Sequence, residues 1–506
     1  MKRFLRAFAT VTALATVTRM LSFVFKIYLS RVLGAEILGL YQITFSVLML
    51  FIGLSASGLP VTLSRITAEQ NTAGSGKDAG AVTTCLILSV MLSSVTITVF
   101  IAFPEILHRL FADPRCVDLF VIMLPMLLTT SVYAVIRGWF WGKKDFNVFS
   151  VSELLEEIFK ILIAVCLLSG VLFEVGNLRA YAYAMLVTDI VAAVGLCVCY
   201  LVKGGKLSRP ALASNIIRSA APLTVTRVFG AVMSTFLSLM VPHMLIRSGM
   251  DTSAATAEFG RAGGMVMPLL LTPTSVIGSL GVVLIPEIAS FHAAGNHAAL
   301  EKKAQTSLLF AAVSCGTFFA LFGAMGQSIA TQLYHDSAAG QYLQQWAWMM
   351  LPLGMNGLVV SLLNSLGKET FTFASHLLAS VALVVIAIWL PGRLGIHAYF
   401  LALTVFHTLS LCINLIMLTR IIKLRRKYLA QAGAVLAGCV VLCYAVRPAF
   451  ALLQRLLGDW GGICICSAVI FIVLACMLSL TGILRWQTVW SYFPKPRRRG
   501  EIRRSE

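Results

Sequence analysis

The sequence predicts an all-α polytopic membrane protein with 14 transmembrane helices, in which two repeated six-helix lobes surround a central cavity and two C-terminal helices follow. Three observations predict this fold class. Hydrophobic residues make up 58% of the 506 residues and charged residues only 12%, and the mean hydropathy is +0.88. Since a spanning helix needs about 20 mostly apolar residues, the apolar residues suffice for on the order of 14 spans. The chain also contains an internal repeat. Together these observations exclude a set of soluble domains.

The individual spans are predicted from apolar runs that end at glycine, proline or clusters of charge. In chain order, spans 1 to 14 are 6–32, 41–67, 80–103, 118–141, 147–173, 179–202, 214–247, 263–291, 304–333, 342–366, 370–390, 395–420, 429–453 and 461–483. The largest external loop, 248–262, is too short for a soluble domain. Any function is therefore expected inside the helix bundle.

The distribution of basic residues predicts the orientation of the chain. The net charge is +19, and 25 of the 40 Lys and Arg residues fall in segments that become cytoplasmic if the N-terminus is inside, against nine outside. Since basic loops stay cytoplasmic, the protein is predicted in the plasma membrane with both termini cytoplasmic. The basic tail 485–506 is expected to meet anionic membrane lipids. Because topology explains the charge, nucleic acid is not expected as a partner.

An internal repeat predicts two related lobes. The corresponding segments are Val17–Arg19 and Val225–Arg227, Pro60 and Pro286, Met123–Pro125 and Met350–Pro352, and Gly142–Phe146 and Gly367–Phe371. The predicted domains are an N-terminal lobe (1–203), a C-terminal lobe (214–422), two extra helices (428–484) and the tail (485–506). Such lobes usually enclose a central cavity and rock around it.

The sequence contains no pattern for a metal or nucleotide cofactor. The twelve cysteines and eight histidines lack zinc-ligand spacing, and no GxxxxGK[ST] phosphate loop is present. We therefore expect no cofactor, and a driving force from Na⁺, H⁺ or the membrane potential.

Basic residues within spans 1 and 7 predict an anion-binding cavity. A charge near mid-bilayer costs about 2.5–3.5 kcal/mol or more, so it usually faces a cavity or a partner. Arg19 and Lys26 share one face of span 1, and Arg227 occupies the repeat position of Arg19 in span 7. Arginine offers a fork of donors that matches phosphate oxygens. The alternative is that these side chains pair with carboxylates or snorkel; Arg65, near a span end, is also expected to be solvated or interfacial.

Span 5 carries a second charged cluster, with Glu153, Glu156, Glu157 and Lys160 spaced along one face. Glu156 and Lys160 are placed to pair, and Arg137 or Arg19 would complete the neutralisation. The cluster is either a structural ion network or a substrate or coupling-ion site. In span 6, Asp189 is either a coupling carboxylate or hydrogen-bonded to a neighbouring helix.

Several tryptophans lie near span ends and are expected in the interfacial aromatic belt, with no role in a site. Trp139 and Trp141 at the end of span 4 belong to this group.

The ordered set of these motifs resembles the multidrug/oligosaccharidyl-lipid/polysaccharide (MOP) flippase superfamily, and within it the stage V sporulation protein B-like branch of polysaccharide biosynthesis proteins. The resembling segments are Thr18–Leu21, Leu33–Glu36, Gly39–Tyr41, Gly58–Val61, Ala68–Glu69, Arg137–Gly142 with Glu153 and Glu156, Pro222, Thr226–Arg227 and Leu284–Glu287. The resemblance covers spans 1–12, whereas spans 13 and 14 match only in hydrophobicity. Trp141 stands where many relatives have a polar residue.

The resemblance implies a flippase that moves undecaprenyl-pyrophosphate-linked sugars, such as lipid II for peptidoglycan or a spore cortex precursor, by alternating access. It implies that Arg19 holds the pyrophosphate, with Arg65 and Arg227 as weaker candidates. The partners would be the lipid-linked oligosaccharide, membrane lipids and cell-wall synthesis enzymes.

Three other functions stay open at this stage. A multidrug or cation antiporter of the same superfamily would need a net-negative cavity, which span 5 favours and spans 1 and 7 do not. A membrane glycosyl transferase would need catalytic carboxylates on a sizeable external loop, where 248–262 offers only Asp251 and Glu258. A non-transporting scaffold for cell-wall enzymes would need no cavity.

Overall fold

The computed structural model describes residues 2–72, 78–169, 176–423 and 426–480, and every regular element in these ranges is a helix. The predicted all-α class is therefore confirmed for this part of the chain. The basic tail predicted at 485–506 lies outside the described residues, as do the last residues of predicted spans 5 and 14.

Nineteen α-helices follow one another in the described ranges. They are α1 (Lys2–Ala56), α2 (Leu59–Thr72), α3 (Asp78–Ala102), α4 (Glu105–Leu110), α5 (Pro114–Met123), α6 (Met126–Gly142), α7 (Phe146–Leu168), α8 (Asn177–Val202), α9 (Ala213–Arg247), α10 (Thr252–Phe259), α11 (Met267–Leu270), α12 (Thr272–Ala293), α13 (His297–Tyr334), α14 (Ser337–Trp346), α15 (Met350–Ser365), α16 (Glu369–Trp389), α17 (Pro391–Leu394), α18 (His397–Ile421) and α19 (Arg426–Leu480). A π-helical segment (Gly260–Val266) joins α10 to α11, and a short 3₁₀ turn joins α14 to α15.

Nine helical stretches of the described residues are long and apolar enough to cross a membrane, and α5 with α6, bent by 45° at their break, adds a tenth. The protein is thus an integral membrane protein. Helix α7 falls outside this count because it carries four charged residues. The number of fourteen spans and their grouping into two six-helix lobes remain predictions.

Two very long helices, α1 and α19, are each broken at one glycine. Gly34 has φ 74° and Gly458 has φ 75°, a backbone conformation that glycine adopts at little cost. Each break lies between two predicted spans, 1 and 2 or 13 and 14. The sequence pattern thus anticipates the places where these helices change direction.

The segment predicted as the largest external loop, 248–262, is mostly helical. Helix α10 and the π-helical segment pack on α1, where the backbones approach closely at two glycines. A Cβ on Gly39 would lie 2.1 Å from the carbonyl oxygen of Thr256, and one on Gly260 would lie 1.9 Å from that of Ala35. The small glycines therefore allow this segment to lie against α1 instead of extending as a loop.

The chain separates into two compact units. Unit 1 comprises Met1–Met265 and Val384–Tyr399, and unit 2 comprises Val266–Leu383 and Phe400–Glu506. The lobe boundaries predicted at 203 and 214 remain a separate prediction.

In unit 1, helices α2, α3, α6 and α8 enclose a core that includes Leu63, Trp139, Phe140 and Tyr200. Trp139, which was expected in the interfacial belt, is only 5% exposed. Its indole N–H donates to Asp78 at 2.9 Å, so its polar group is satisfied despite burial. The expectation of an interfacial Trp139 is therefore wrong.

In unit 2, α13 packs against α15 and α19. Gly316 and Gly323 on α13 face the thiols of Cys439 and Cys443 on α19, and both thiols are buried. These cysteines fill space as small apolar side chains, as expected for thiols inside apolar runs.

Candidate functional site

The charged residues of α7 lie in unit 1, where α7 packs against α1, α6 and α8. Since these four helices also carry Arg19, Arg137 and Asp189, the fold brings the predicted charges of spans 1, 4, 5 and 6 into one region. We call this group of side chains the charged cluster. Its members are Arg19, Lys26, Arg137, Glu153, Glu156, Glu157, Lys160 and Asp189.

Within α7, Lys160 forms an ion pair with Glu157 instead of the expected Glu156. The Glu157 side chain is 8% exposed and that of Lys160 25%. The second carboxylate oxygen of Glu157, Oε1, is buried and has no hydrogen-bond partner among the residues that the structure describes. The expected ion pair between Glu156 and Lys160 is therefore replaced by one with Glu157, three residues before Lys160. Glu156 still lies within electrostatic range of the Lys160 ammonium group.

Arg137 on α6 lies against three aromatic rings. Its guanidinium carbon is 4.9 Å from the ring centroid of Trp141, 5.6 Å from that of Phe149 and 6.0 Å from that of Tyr133. These distances are in the range of cation–π attraction. The Nε–H of Arg137 is buried and has no hydrogen-bond partner in the described part of the chain. Arg137 therefore has a fixed position and an unused donor.

Glu153 on α7 lies within electrostatic range of cations on two other helices. Its carboxylate interacts electrostatically with Arg137 on α6 and with Arg19 on α1. Glu153 is partly buried, whereas Arg19 is exposed. This arrangement agrees with the expectation that Arg137 or Arg19 would help to neutralise the carboxylates of span 5.

Glu156 and Asp189 form the opposite, acidic side of the charged cluster. Glu156 lies within electrostatic range of Tyr133 and Asp189. Asp189 accepts hydrogen bonds from Thr129 and from Thr130, the latter at 3.0 Å to either oxygen. Asp189 is thus hydrogen-bonded to the neighbouring helix α6, as one of the two alternatives predicted.

Lys26 lies on α1, next in sequence to Phe25. It is half-buried and has no ion-pair partner among the described residues. Its neighbour Phe25 contacts Tyr28 and Tyr181, with ring centroids 6.3 and 6.2 Å apart. Lys26 is thus an uncompensated cation within the helix.

Arg65 and Arg227 do not join the charged cluster through any described hydrogen bond or ion pair. Arg65 is exposed and forms a 3.6 Å ion pair with Glu69 on its own helix. Arg227 is exposed and donates from Nη1 to the carbonyl oxygen of Ser57 at 2.9 Å. Ser57 lies in the break between α1 and α2, where carbonyls lack helical partners, so Arg227 caps the end of α1.

The aromatic residues around Arg137 were missed by the sequence reasoning. Trp141 was assigned to the interfacial belt, but its ring lies against the guanidinium. Tyr133, Arg137 and Trp141 follow one another at intervals of four residues, which places them on one face of α6. That spacing was the available signal, whereas the contribution of Phe149 from α7 required the packing of the two helices.

These features define a helical integral membrane protein that carries charged side chains on apolar helices. The sequence profile described as polysaccharide biosynthesis protein matches residues 4–292, more than half of the chain. The protein therefore belongs to the polysaccharide biosynthesis protein family.

Two relatives from Bacillus subtilis (strain 168) extend this result. The chain is 24% identical to stage V sporulation protein B over 497 residues, which cover 94% of this chain and 96% of that protein. It is 22% identical to the lipid II flippase MurJ over 460 residues, 83% of either chain.

Two solved structures show the same fold. The lipid II flippase MurJ in an inward closed conformation has a TM-score of 0.74 at 11% identity, covering 94% of this chain and 100% of that one. An inward-facing multidrug resistance MATE family transporter of the MOP superfamily has a TM-score of 0.64 at 15% identity, covering 83% and 95%. This chain therefore has the fold of these two transporters.

Proposed function

We propose that the protein is a flippase for undecaprenyl-pyrophosphate-linked sugars, such as lipid II or a related cell-wall or spore cortex precursor, and that it works by alternating access. The pyrophosphate would bind the cations of the charged cluster, while the lipid tail stays between helices. The protein would lie in the plasma membrane with both termini cytoplasmic. The match to stage V sporulation protein B and to the lipid II flippase MurJ supports this substrate class.

The observation that carries the proposal is the state of Arg137. Its guanidinium is positioned by three aromatic rings and keeps a buried Nε–H without a partner. An unsatisfied buried donor costs about 1–3 kcal/mol, and a phosphate oxygen would satisfy it with a charge-assisted hydrogen bond. The ligand that suits this position is therefore an anion with several oxygen acceptors.

Glu153 would act as the internal counter-ion when substrate is absent. It interacts with both Arg137 and Arg19, so it limits the cost of holding two cations inside the bundle. A pyrophosphate carries more charge than one carboxylate and would replace Glu153 as the partner of both guanidinium groups. After transport, Glu153 would compete with the pyrophosphate for the two guanidinium groups. This competition would favour release of the substrate.

The other predicted cations have different support. Lys26 is half-buried without an ion-pair partner among the described residues, which suits a role in anion binding. Arg227 and Arg65 are exposed and already bound to Ser57 and Glu69. We propose that Arg19, Arg137 and Lys26 form the main cationic site, and that Arg227 and Arg65 contribute less.

A second candidate function is a multidrug or cation antiporter. The observation that favours it is the negative charge of the charged cluster when Lys26 is left out. Its four carboxylates then outnumber the three cations Arg19, Arg137 and Lys160. The same excess would suit a coupling Na⁺ or H⁺ in a flippase. The two functions differ in whether the transported molecule is an anion.

The test is a leaflet assay for lipid II in a strain depleted of its own flippases, with and without this protein. We expect outer-leaflet exposure to be restored by the wild type and lost in Arg19→Ala. Arg218→Ala is the matched control, because Arg218 is an exposed arginine on α9 outside the charged cluster.

Failure of a well-inserted wild type to restore exposure would refute lipid II as substrate, and unchanged exposure in Arg19→Ala would refute the site. The antiporter function is tested in parallel by efflux of a cationic dye from cells without other efflux pumps. Efflux that is abolished by Glu156→Gln and insensitive to Arg19→Ala would favour the antiporter.

A further inference from the structure

A cavity of about 510 Å³ lies in unit 1, outside the charged cluster, where α6 and α8 end and α3 begins. Its lining includes Asp78, Trp139, Lys143, Asp145, Lys203 and Lys206. All three helix ends are at the side of the bundle that the charge distribution predicts to be cytoplasmic. The volume is in the range of small-molecule binding sites.

The floor of the cavity is aromatic and rigid. The rings of Trp139 and Tyr200 meet edge to face with centroids 4.7 Å apart, and Trp139 meets Phe140 in the same way at 5.0 Å. All three side chains are at most 5% exposed. The floor is therefore closely packed.

The rim of the cavity is a tight turn after α8. Gly204 has φ +85°, and a Cβ on Gly205 would lie 2.4 Å from the ring of Tyr200. The Tyr200 hydroxyl donates to the carbonyl oxygen of Lys206 at 2.7 Å. The backbone that carries Lys206 is thus held against the aromatic floor.

The rest of the connection to α9 is fixed on α3. The N–H of Ser208 donates to the hydroxyl of Thr83 at 3.1 Å, and that of Ala211 donates to Thr84 at 2.9 Å. These bonds hold the connection on the C-terminal side of Lys206.

The charges of the lining leave one cation in excess. Asp78 accepts hydrogen bonds from Lys143 at 3.0 Å and from Trp139, and Asp145 pairs with Lys203 at 3.1 Å. Lys206 has no ion-pair partner in the described part of the chain. Each ammonium group carries three N–H donors, and the two ion pairs use only one donor each. The cavity therefore offers one net positive charge and several unused donors.

We propose that this cavity binds the phosphate head group of an anionic phospholipid from the cytoplasmic leaflet. A phosphodiester carries one negative charge, which matches the excess of the lining. Basic pockets between transmembrane helices on the cytoplasmic side suit acidic head groups. Inorganic phosphate offers the same chemistry without the lipid and has to be separated by experiment.

The test uses the purified full-length protein, delipidated in a neutral detergent. Short-chain phosphatidylglycerol, short-chain phosphatidylcholine and inorganic phosphate are titrated separately, and bound ligand is counted by native mass spectrometry. We expect phosphatidylglycerol to bind at least about tenfold more tightly than the other two, because only it combines the charge with an anchoring lipid.

The variant Lys203→Gln/Lys206→Gln should weaken phosphatidylglycerol binding by about tenfold or more. Lys206→Gln alone should give a smaller loss and is the safer variant for folding, since its side chain has no ion pair to break. Lys144→Gln is the matched control, because Lys144 is exposed, adjacent to Lys143 and absent from the lining; it should retain binding within about twofold.

Three results would overturn the proposal. They are unchanged binding in folded Lys203→Gln/Lys206→Gln and Lys206→Gln, an equal loss in Lys144→Gln, and binding of phosphatidylcholine or inorganic phosphate as tight as that of phosphatidylglycerol. The first would place the bound lipid outside this cavity, the second would assign the loss to general surface charge, and the third would remove the anionic lipid as the ligand.

Discussion

The contact between Arg137 and Trp141 makes a quantitative prediction that does not depend on the substrate. Replacing Trp141 by Leu removes the aromatic face 4.9 Å from the guanidinium carbon, while the more distant rings of Phe149 and Tyr133 remain. A cation–π contact is worth about 0.5–1 kcal/mol when exposed and about 2 kcal/mol when desolvated. Since both residues are half-buried, we expect a coupling energy of about 1 kcal/mol.

A double-mutant cycle isolates this coupling. The free energy of unfolding is measured in mixed micelles for the wild type, Trp141→Leu, Arg137→Gln and the double variant. The lost edge contact between Trp141 and Phe149 cancels in the cycle. Trp389→Leu with Arg137→Gln is the control cycle, because Trp389 is 75% exposed, and it should be additive. Additivity within about 0.3 kcal/mol in the Trp141 cycle would refute the account of how Arg137 is positioned.

Three further predictions concern packing and the weaker site candidates. Gly138→Val should lower the thermal unfolding midpoint and cost about 1–3 kcal/mol or more of stability, because its Cβ would lie 2.6 Å from the carbonyl oxygen of Pro60. Gly195→Val is the control and should have little effect, because a Cβ at Gly195 would meet nothing within 4 Å. Equal unfolding midpoints of the two variants would contradict the close helix approach. Asp189→Asn should keep folding and transport, since an amide oxygen still accepts a hydrogen bond from a threonine hydroxyl. Asp189→Ala should lower the free energy of unfolding by about 1–3 kcal/mol. Loss of transport in a stable Asp189→Asn variant would instead indicate a coupling carboxylate. Arg65→Ala should change lipid II exposure by less than about twofold, because exposed ion pairs contribute about 0–1 kcal/mol; a complete loss would place this residue in the site.

The broad fold could be predicted because apolar runs and their glycine breaks act locally. The break at Gly34 lies between two apolar runs, and glycine adopts the positive φ found there at little cost. The segment 248–262 was predicted as a loop because it contains several polar and charged residues. In the structure, the glycines at positions 39 and 260 allow it to pack on α1. Contacts of that kind depend on residues more than 200 positions apart and leave no local pattern.

The site was predictable in its charges and not in its contacts. The clustering of Glu153 with cations of other helices followed from the cost of unpaired charge in a membrane. The choice of Glu157 over Glu156 as the partner of Lys160 depends on side-chain geometry that helical spacing allows for either residue. The aromatic setting of Arg137 needed the first turn of α7 to meet α6, which only the tertiary structure provides.

The central claim is that Arg19 and Arg137 hold a lipid-linked pyrophosphate, and equilibrium binding tests it most directly. Undecaprenyl pyrophosphate is titrated into the purified wild type, into Arg19→Ala/Arg137→Gln and into the control Arg218→Ala, and bound lipid is counted by native mass spectrometry. The account predicts binding to the wild type and the control, with a loss of about tenfold or more in the double variant, which corresponds to about 1.4 kcal/mol. Equal affinity in all three proteins would contradict it.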